Sequence, residues 1–225
     1  MKVISSLAIK AALLELVPRF EKTGSCKVAV DWAGMADIRK RIQAGESVDL
    51  AVGSAALIDE LIAAGKLQPG SRVDLVKSGV GVAVRKGAPK PDISSLEALK
   101  RALRASKSIV YSSGPSGIYL AGLFEKLGLA AELKGKMTQT PPGVLVAELV
   151  ARGEMEIAFQ QIPELRQVAG IDIVGPLPAE IQTMTVFSGG VPASAKDPEA
   201  ARALMKFLVS AEVAPTIRKH GMEPT

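Results

Sequence analysis

The chain has a single cysteine, Cys26, and a single histidine, His220. One thiol excludes an intramolecular disulfide and any cysteine-rich metal site. One imidazole, close to the end of the chain, leaves most histidine-based catalysis without its central group. Aromatic rings are sparse as well: one Trp, two Tyr and five Phe among 225 residues leave packing to Ala, Val, Leu and Ile. No run approaches the roughly 20 apolar residues of a membrane span. Basic residues are scattered, and 28 Lys and Arg against 23 Asp and Glu give a net charge of only +5, short of a nucleic-acid footprint. A secretory leader pattern is also missing, since Lys2 runs straight into Val3-Ile4-Ser5-Ser6 and then into helical spacing that includes Glu15 and Arg19. The expected location is periplasmic if a leader has been removed and cytoplasmic otherwise.

What is present is ordinary globular material. An apolar share of 48% with 23% charged residues builds a hydrophobic core, and the length fits one large or two modest domains. The mild positive balance points to a small anionic ligand. No motif asks for a cofactor or a metal, and the expected state is a monomer.

Short β-rich runs alternate with helical patterns of 10–15 residues, the signature of βαβ units and parallel sheet. Strands are expected at Val3-Ile4, Lys27–Val30, Asp49–Val52, Ile109–Tyr111, Glu156–Phe159 and Ile171–Val174. Helices are expected over 7–21 (with Pro18 a possible early break), 35–44, 55–64, 117–127 and from Pro141-Pro142 to Ala151. Ser94 and Glu97 read as a capping box for a helix over 96–105, and Asp197 with Pro198 opens one through Val209. A last short helix follows from Ala211. Two longer strands, Val73–Arg85 and Gln182–Phe187, stand apart because glycine interrupts or ends them. The simplest arrangement is α/β: one lobe from 1–79 and 188–225, a second from 80–187, each a mostly parallel sheet flanked by helices, joined by those two crossing strands with a ligand cleft between them.

One local pattern occurs twice. Ser5-Ser6 ends a strand and opens a helix, and so does Ser112-Ser113-Gly114-Pro115-Ser116-Gly117. Ligands of parallel sheets bind outside the carboxyl ends of the strands, where a helix N-terminus offers free N–H groups and partial positive charge. Serines there are either helix caps or ligand donors, and a matching pair, one per lobe, favours the gripping of one small anion. Ser54 caps a third such turn. Trp32, Gly34 and Met35 sit at the ligand edge of the second strand, where Trp32 either lines the cleft or packs into the core. Lys77, in the first crossing strand, either reaches an anion or is solvated. Asp31 orients a ligand hydroxyl, binds Lys77 or accepts a proton. Arg39 and Lys40 belong to a solvated face, His220 to the tail and Cys26 to the core. Gly79-Val80-Gly81 lies inside a strand and is no dinucleotide fingerprint.

Ser5-Ser6-Leu7, Gly45-Glu46-Ser47-Val48-Asp49-Leu50-Ala51-Val52, Pro115-Ser116-Gly117-Ile118-Tyr119 and Val150-Ala151-Arg152-Gly153-Glu154 together resemble the molybdate-binding branch of the type II periplasmic solute-binding proteins, in order along nearly the whole chain. The resemblance implies two α/β lobes, capture of a small anion in the cleft and delivery to an ABC permease. It also implies neutral donors: serines in the first two strand–helix turns and a tyrosine after a late strand of lobe two. Ser6 matches the first. The second turn reads Asp31-Trp32-Ala33-Gly34-Met35 without a serine, and Phe159 stands in the tyrosine's place, followed by Gln160 and Gln161. These departures move the expected ligand from a tetrahedral oxyanion towards planar carboxylates. Ser6, Ser113, Ser116, Lys77 and Gln160 would hold them, with Trp32, Met35 and Pro115 facing carbon. Aconitate isomerases are similar to the same family, so the alternative is an enzyme that moves a proton between carbons of a tricarboxylate, with Asp31 or Lys77 as base.

Overall fold

A computed structural model describes residues 1–24 and 26–225. The chain forms two compact units, Met1–Ser78 with Thr185–Thr225, and Gly79–Met184.

The first unit opens with β1 (Lys2–Ser6), a 3₁₀ turn and α1 (Lys10–Glu21), followed by β2 (Ala29–Ala33), α2 (Met35–Gln43), β3 (Leu50–Ser54) and α3 (Ala55–Ala63). β1 lies between β2 and β3, parallel to both, with Ser5 opposite Trp32 and Val52. Alternation across the sheet sorts the core. Val3, Leu50 and Val52 face one cluster with Leu13, Leu16 and Phe20 of α1, whereas Ile4, Ala33 and Ala51 face another with Ile38, Leu57 and Leu61. Pro18 does not end α1. The carbonyl it deprives of a partner is that of Leu14, a residue on the exposed face of the helix, 59% exposed. Strand β2 begins at Ala29 rather than Lys27, and Cys26 lies in the loop before it, half-buried against the α1 side of the core.

β4 (Val73–Arg85) starts in the first unit and runs on into the second. There follow α4 (Leu96–Ala105), β5 (Ile109–Tyr111), α5 (Pro115–Lys126), α6 (Ala130–Leu133), β6 (Met137–Gln139), α7 (Ala147–Ala151), β7 (Ile157–Gln161), α8 (Ile162–Leu165) and β8 (Ile171–Pro176). The chain returns through β9 (Met184–Gly190), antiparallel to β3, and closes with α9 (Pro198–Leu208), α10 (Ala214–Lys219) and β10 (Glu223–Pro224), which pairs with β4 at Lys77 and Val76. In the second unit β5 lies parallel to both β6 and β7, while β7 and β8 run antiparallel to β4.

Three local expectations change. The α4 cap is Ser95, whose Oγ accepts from the Ala98 N–H at 3.2 Å, while Ser94 donates to Asp92 and Glu97 pairs sideways with Lys100. Pro141-Pro142 opens a turn rather than a helix, because Gly143 adopts a positive φ of 82° and α7 forms only from Ala147. Gln182 precedes its strand and caps the β4 edge instead, its amide bonded to both the N–H and the carbonyl of Val80.

Candidate functional site

In the first unit, three parallel strands end side by side and each turns directly into a helix. Ser6 closes β1 and caps the turn that leads into α1: its Oγ accepts from the Ala8 N–H at 3.2 Å, and the residue is 4% exposed. Ser5, wholly buried, donates to the Ser6 carbonyl at 3.3 Å. Ser54 does for α3 what Ser6 does for α1, accepting from Leu57 at 3.3 Å, while its own N–H meets the Met35 sulfur at 3.4 Å. Between them α2 begins after Gly34 with no side chain capping it, so the N–H groups of its first turn are presented at this edge.

Strand alternation places Trp32 on the α1 side of the sheet and Asp31 on the other. Asp31 is drawn into the α2 anchor: Arg41 lies 2.9 Å and Lys2 3.7 Å from its carboxylate, and Arg41 also clamps Glu46 at 2.5 Å. Arg41 and Lys2 together hold the Glu46 carboxyl down at about 2. Lys77 pairs across the strands with Glu223 at 3.7 Å. Arg39 pairs with Glu60 at 2.8 Å, and His220 with Glu15 at 3.1 Å.

The first unit also offers a cation that the sequence reading passed over. Lys10, the first residue of α1, holds its Nζ 5.8 Å from the centre of the Trp32 ring and has no carboxylate partner among the described residues. The signal was its place four residues after the cap Ser6, since helical side chains lean back toward the N-terminus.

In the second unit the same construction recurs after β5. Ser112 and Ser116 are buried and share a hydrogen bond at 3.1 Å, Ser113 is half-exposed, and α5 starts at Pro115 after an uncapped Gly114. β6 and β7 end at the same edge and bring two residues the sequence did not single out. Thr140 follows β6, is 4% exposed and, among the described residues, has no hydrogen-bond partner for its hydroxyl, although its N–H donates to the Tyr111 carbonyl at 3.0 Å. Glu164 follows β7. Burial of its carboxyl pushes it up to about 7 against hydrogen bonds from the Gln160 side chain and the Gln161 N–H. That is capping-box spacing, three residues from Gln161. Gln160, 1% exposed, turns its Oε1 to the Val146 N–H at 3.0 Å, so its amide is largely committed within the protein. Phe159 is core, edge-on to Phe124 at 6.2 Å.

Thus Ser5, Ser6, Trp32, Gly34, Met35 and Ser54 share one sheet edge of the first unit, and Ser112, Ser113, Ser116, Gly117 and Gln160 share one edge of the second. Both edges supply neutral donors and helix N-termini, a chemistry suited to anions.

A family model described as bacterial extracellular solute-binding protein matches residues 1–223. The chain belongs to that family. This solute-binding protein is 39% identical over 228 residues to an aconitate isomerase from Pseudomonas sp, a match covering 99% of the chain and 87% of that protein. Its fold is that of the periplasmic molybdate-binding protein of Azotobacter vinelandii (TM-score 0.82, 18% identity, 99% of this chain and 98% of that one). It is likewise that of a sulfate-binding protein from Mycobacterium tuberculosis (TM-score 0.83, 18% identity, 100% and 86%). The type II periplasmic-binding fold expected from the sequence is therefore the one observed. Among the described residues no helix is long and apolar enough to cross a membrane, and no cluster of acidic, histidine or cysteine side chains could hold a metal ion.

Proposed function

We propose that this solute-binding protein captures a small polycarboxylate anion of the aconitate class through its serine–helix turns, Ser5-Ser6 and Ser112-Ser113. The observation that carries the reading is the repeated strand–serine–helix turn, in which an uncapped or serine-capped helix N-terminus lies at the carboxyl edge of a parallel sheet. Planar carboxylates suit N–H and hydroxyl donors. Trp32 on one unit and the exposed Ile118 on the other offer apolar surface for a carbon skeleton. The aconitate isomerase relative supports this ligand class over a tetrahedral oxyanion. Delivery to an ABC-type permease from a periplasmic place goes with the capture reading and with the extracellular family.

The same relative favours a second reading, that the bound tricarboxylate is turned over. A base removes a proton from the methylene carbon, the double bond shifts to that carbon, and the proton is returned to the former vinyl carbon, interconverting cis- and trans-aconitate. A base poised near neutrality serves this step best. Asp31 and Lys77 are each held by an opposite charge, whereas Glu164 sits close to the required range.

A thermal-shift panel of trans-aconitate, cis-aconitate, citrate, sulfate and molybdate tests capture. Stabilisation by the tricarboxylates supports it, and stabilisation by molybdate alone overturns it. Ultraviolet or proton-NMR monitoring of trans-aconitate with sub-stoichiometric protein tests turnover, which is excluded if no cis isomer forms over hours.

A further inference from the structure

Neutral donors satisfy a small oxyanion, but three carboxylates closed away from water leave a charge that hydroxyls and N–H groups do not neutralise. In the first unit most cations are already spent or lie away from the candidate edge. Arg39, Arg72 and Lys77 each hold a carboxylate, and Lys2 and Arg41 are bound to Glu46 at the far ends of β1 and α2. Lys40 is in that same last turn of α2. Lys10, by contrast, is at the edge and holds no carboxylate among the described residues. It stands one helical turn beyond Ser6, and its ammonium is held over the face of Trp32, the residue that pairs with Ser5 in the sheet. The ring attracts the cation without neutralising it and limits where the flexible stem can place it.

We infer that Lys10 is the charge-bearing ligand contact of this protein: with Trp32 as its platform, it meets one carboxylate of the bound polycarboxylate and sets the preference for that class over singly placed tetrahedral oxyanions. The inference rests on the polycarboxylate reading above and deepens it. Trp32 acts as a positioning residue, and Lys77 stays with Glu223.

Trp32 is the only tryptophan, so its emission reports directly on what happens beside Lys10. Titrating the wild-type protein with trans-aconitate while following that emission, and repeating the titration by calorimetry with Lys10→Met and Lys10→Arg, tests the assignment. The expected results are a saturable emission change in the wild type, a 10- to 100-fold weaker Kd in Lys10→Met at unchanged melting temperature, and partial recovery in Lys10→Arg. Citrate should lose a similar factor. Wild-type protein that binds no tricarboxylate removes the ligand reading and this inference with it. Wild-type protein that binds, but with silent Trp32 emission or with an affinity that Lys10→Met leaves unchanged, removes this inference alone. The emission arm needs no variant, so it decides the matter even if Lys10→Met fails to fold.

Discussion

The Ser112 carbonyl oxygen fills the space that a side chain at Gly117 would need: a Cβ built there would lie 1.5 Å from it. The β5–α5 turn is wound this tightly because Pro115 starts the helix only three residues after Ser112, and Ser116 reaches back to share its hydrogen bond. Glycine at 117 is thus a packing requirement of the serine turn itself.

Gly117→Ala is expected to push α5 away from β5. The cost should be at the high end for a single substitution, about 3 kcal/mol or more, with the ligand-induced thermal shift lost as well. Urea midpoints of the two proteins check this, and equal midpoints would contradict the close approach.

Ser6 and Ser95 make the same kind of cap, at 3.2 Å each, but only Ser6 lies at the candidate edge. Ser6→Ala and Ser95→Ala should each lower stability by about 1 kcal/mol. Only Ser6→Ala should also weaken carboxylate binding, by roughly tenfold for one lost hydrogen bond. Parallel affinity losses in both variants would make the effect one of folding rather than of ligand contact.

Glu164 predicts an unusual pH dependence. Its carboxyl is raised from 4.5 to about 7 by burial, so between those values the folded protein holds a proton that the unfolded chain has released. Stability contributed by this group is complete below about pH 4.5 and declines as pH rises to about 7, by an amount of the order of 3 kcal/mol. Glu164→Gln keeps the oxygen that accepts from Gln161 and removes the charge. Chemical denaturation at pH 5 and pH 8 should show a smaller loss of stability in the variant than in the wild type. Identical pH profiles would show that the carboxyl titrates normally.

Asp49 draws three N–H groups, from Lys2, Lys196 and Asp197, onto one 8%-exposed carboxylate, tying the start of β1 to the approach of α9. Burial acts to raise its pKa, and the backbone bonds outweigh burial, leaving it below 3.8. Asp49→Ala strands those donors and should cost about 3 kcal/mol or more, with no change in ligand preference for the protein that remains folded. A melting-temperature drop of only a degree or two would contradict this role.

Much of the fold was legible because periodicity and punctuation agreed. β4, α4 and β5 lie where alternation, helical spacing and the flanking prolines put them, and Asp197 caps α9 from its side chain as the Asp-Pro pair implied. β6, α6 and α8 escaped: Met137-Thr138-Gln139 offers no apolar run like that of β5, and a helix of one turn carries no measurable period and forms only against its neighbours. The serine turns were legible as well, because a polar pair between a strand pattern and a helix pattern marks a cap. Lys10, Thr140 and Glu164 were not singled out. The spacings of Lys10 from Ser6 and of Glu164 from Gln161 mark only a helix start; what distinguishes the three is a ring in a nearby strand, a hydroxyl without a partner among the described residues and a buried carboxyl, which are tertiary facts.

The most direct test is an amide-resolved NMR titration of the ¹⁵N-labelled protein with trans-aconitate. The account predicts saturable shifts at a single common Kd for Ser6, Trp32 and Gly34 in one unit and for Ser113, Ser116 and Gly117 in the other. Shifts confined to one unit, or different Kd values for the two sets, would contradict it.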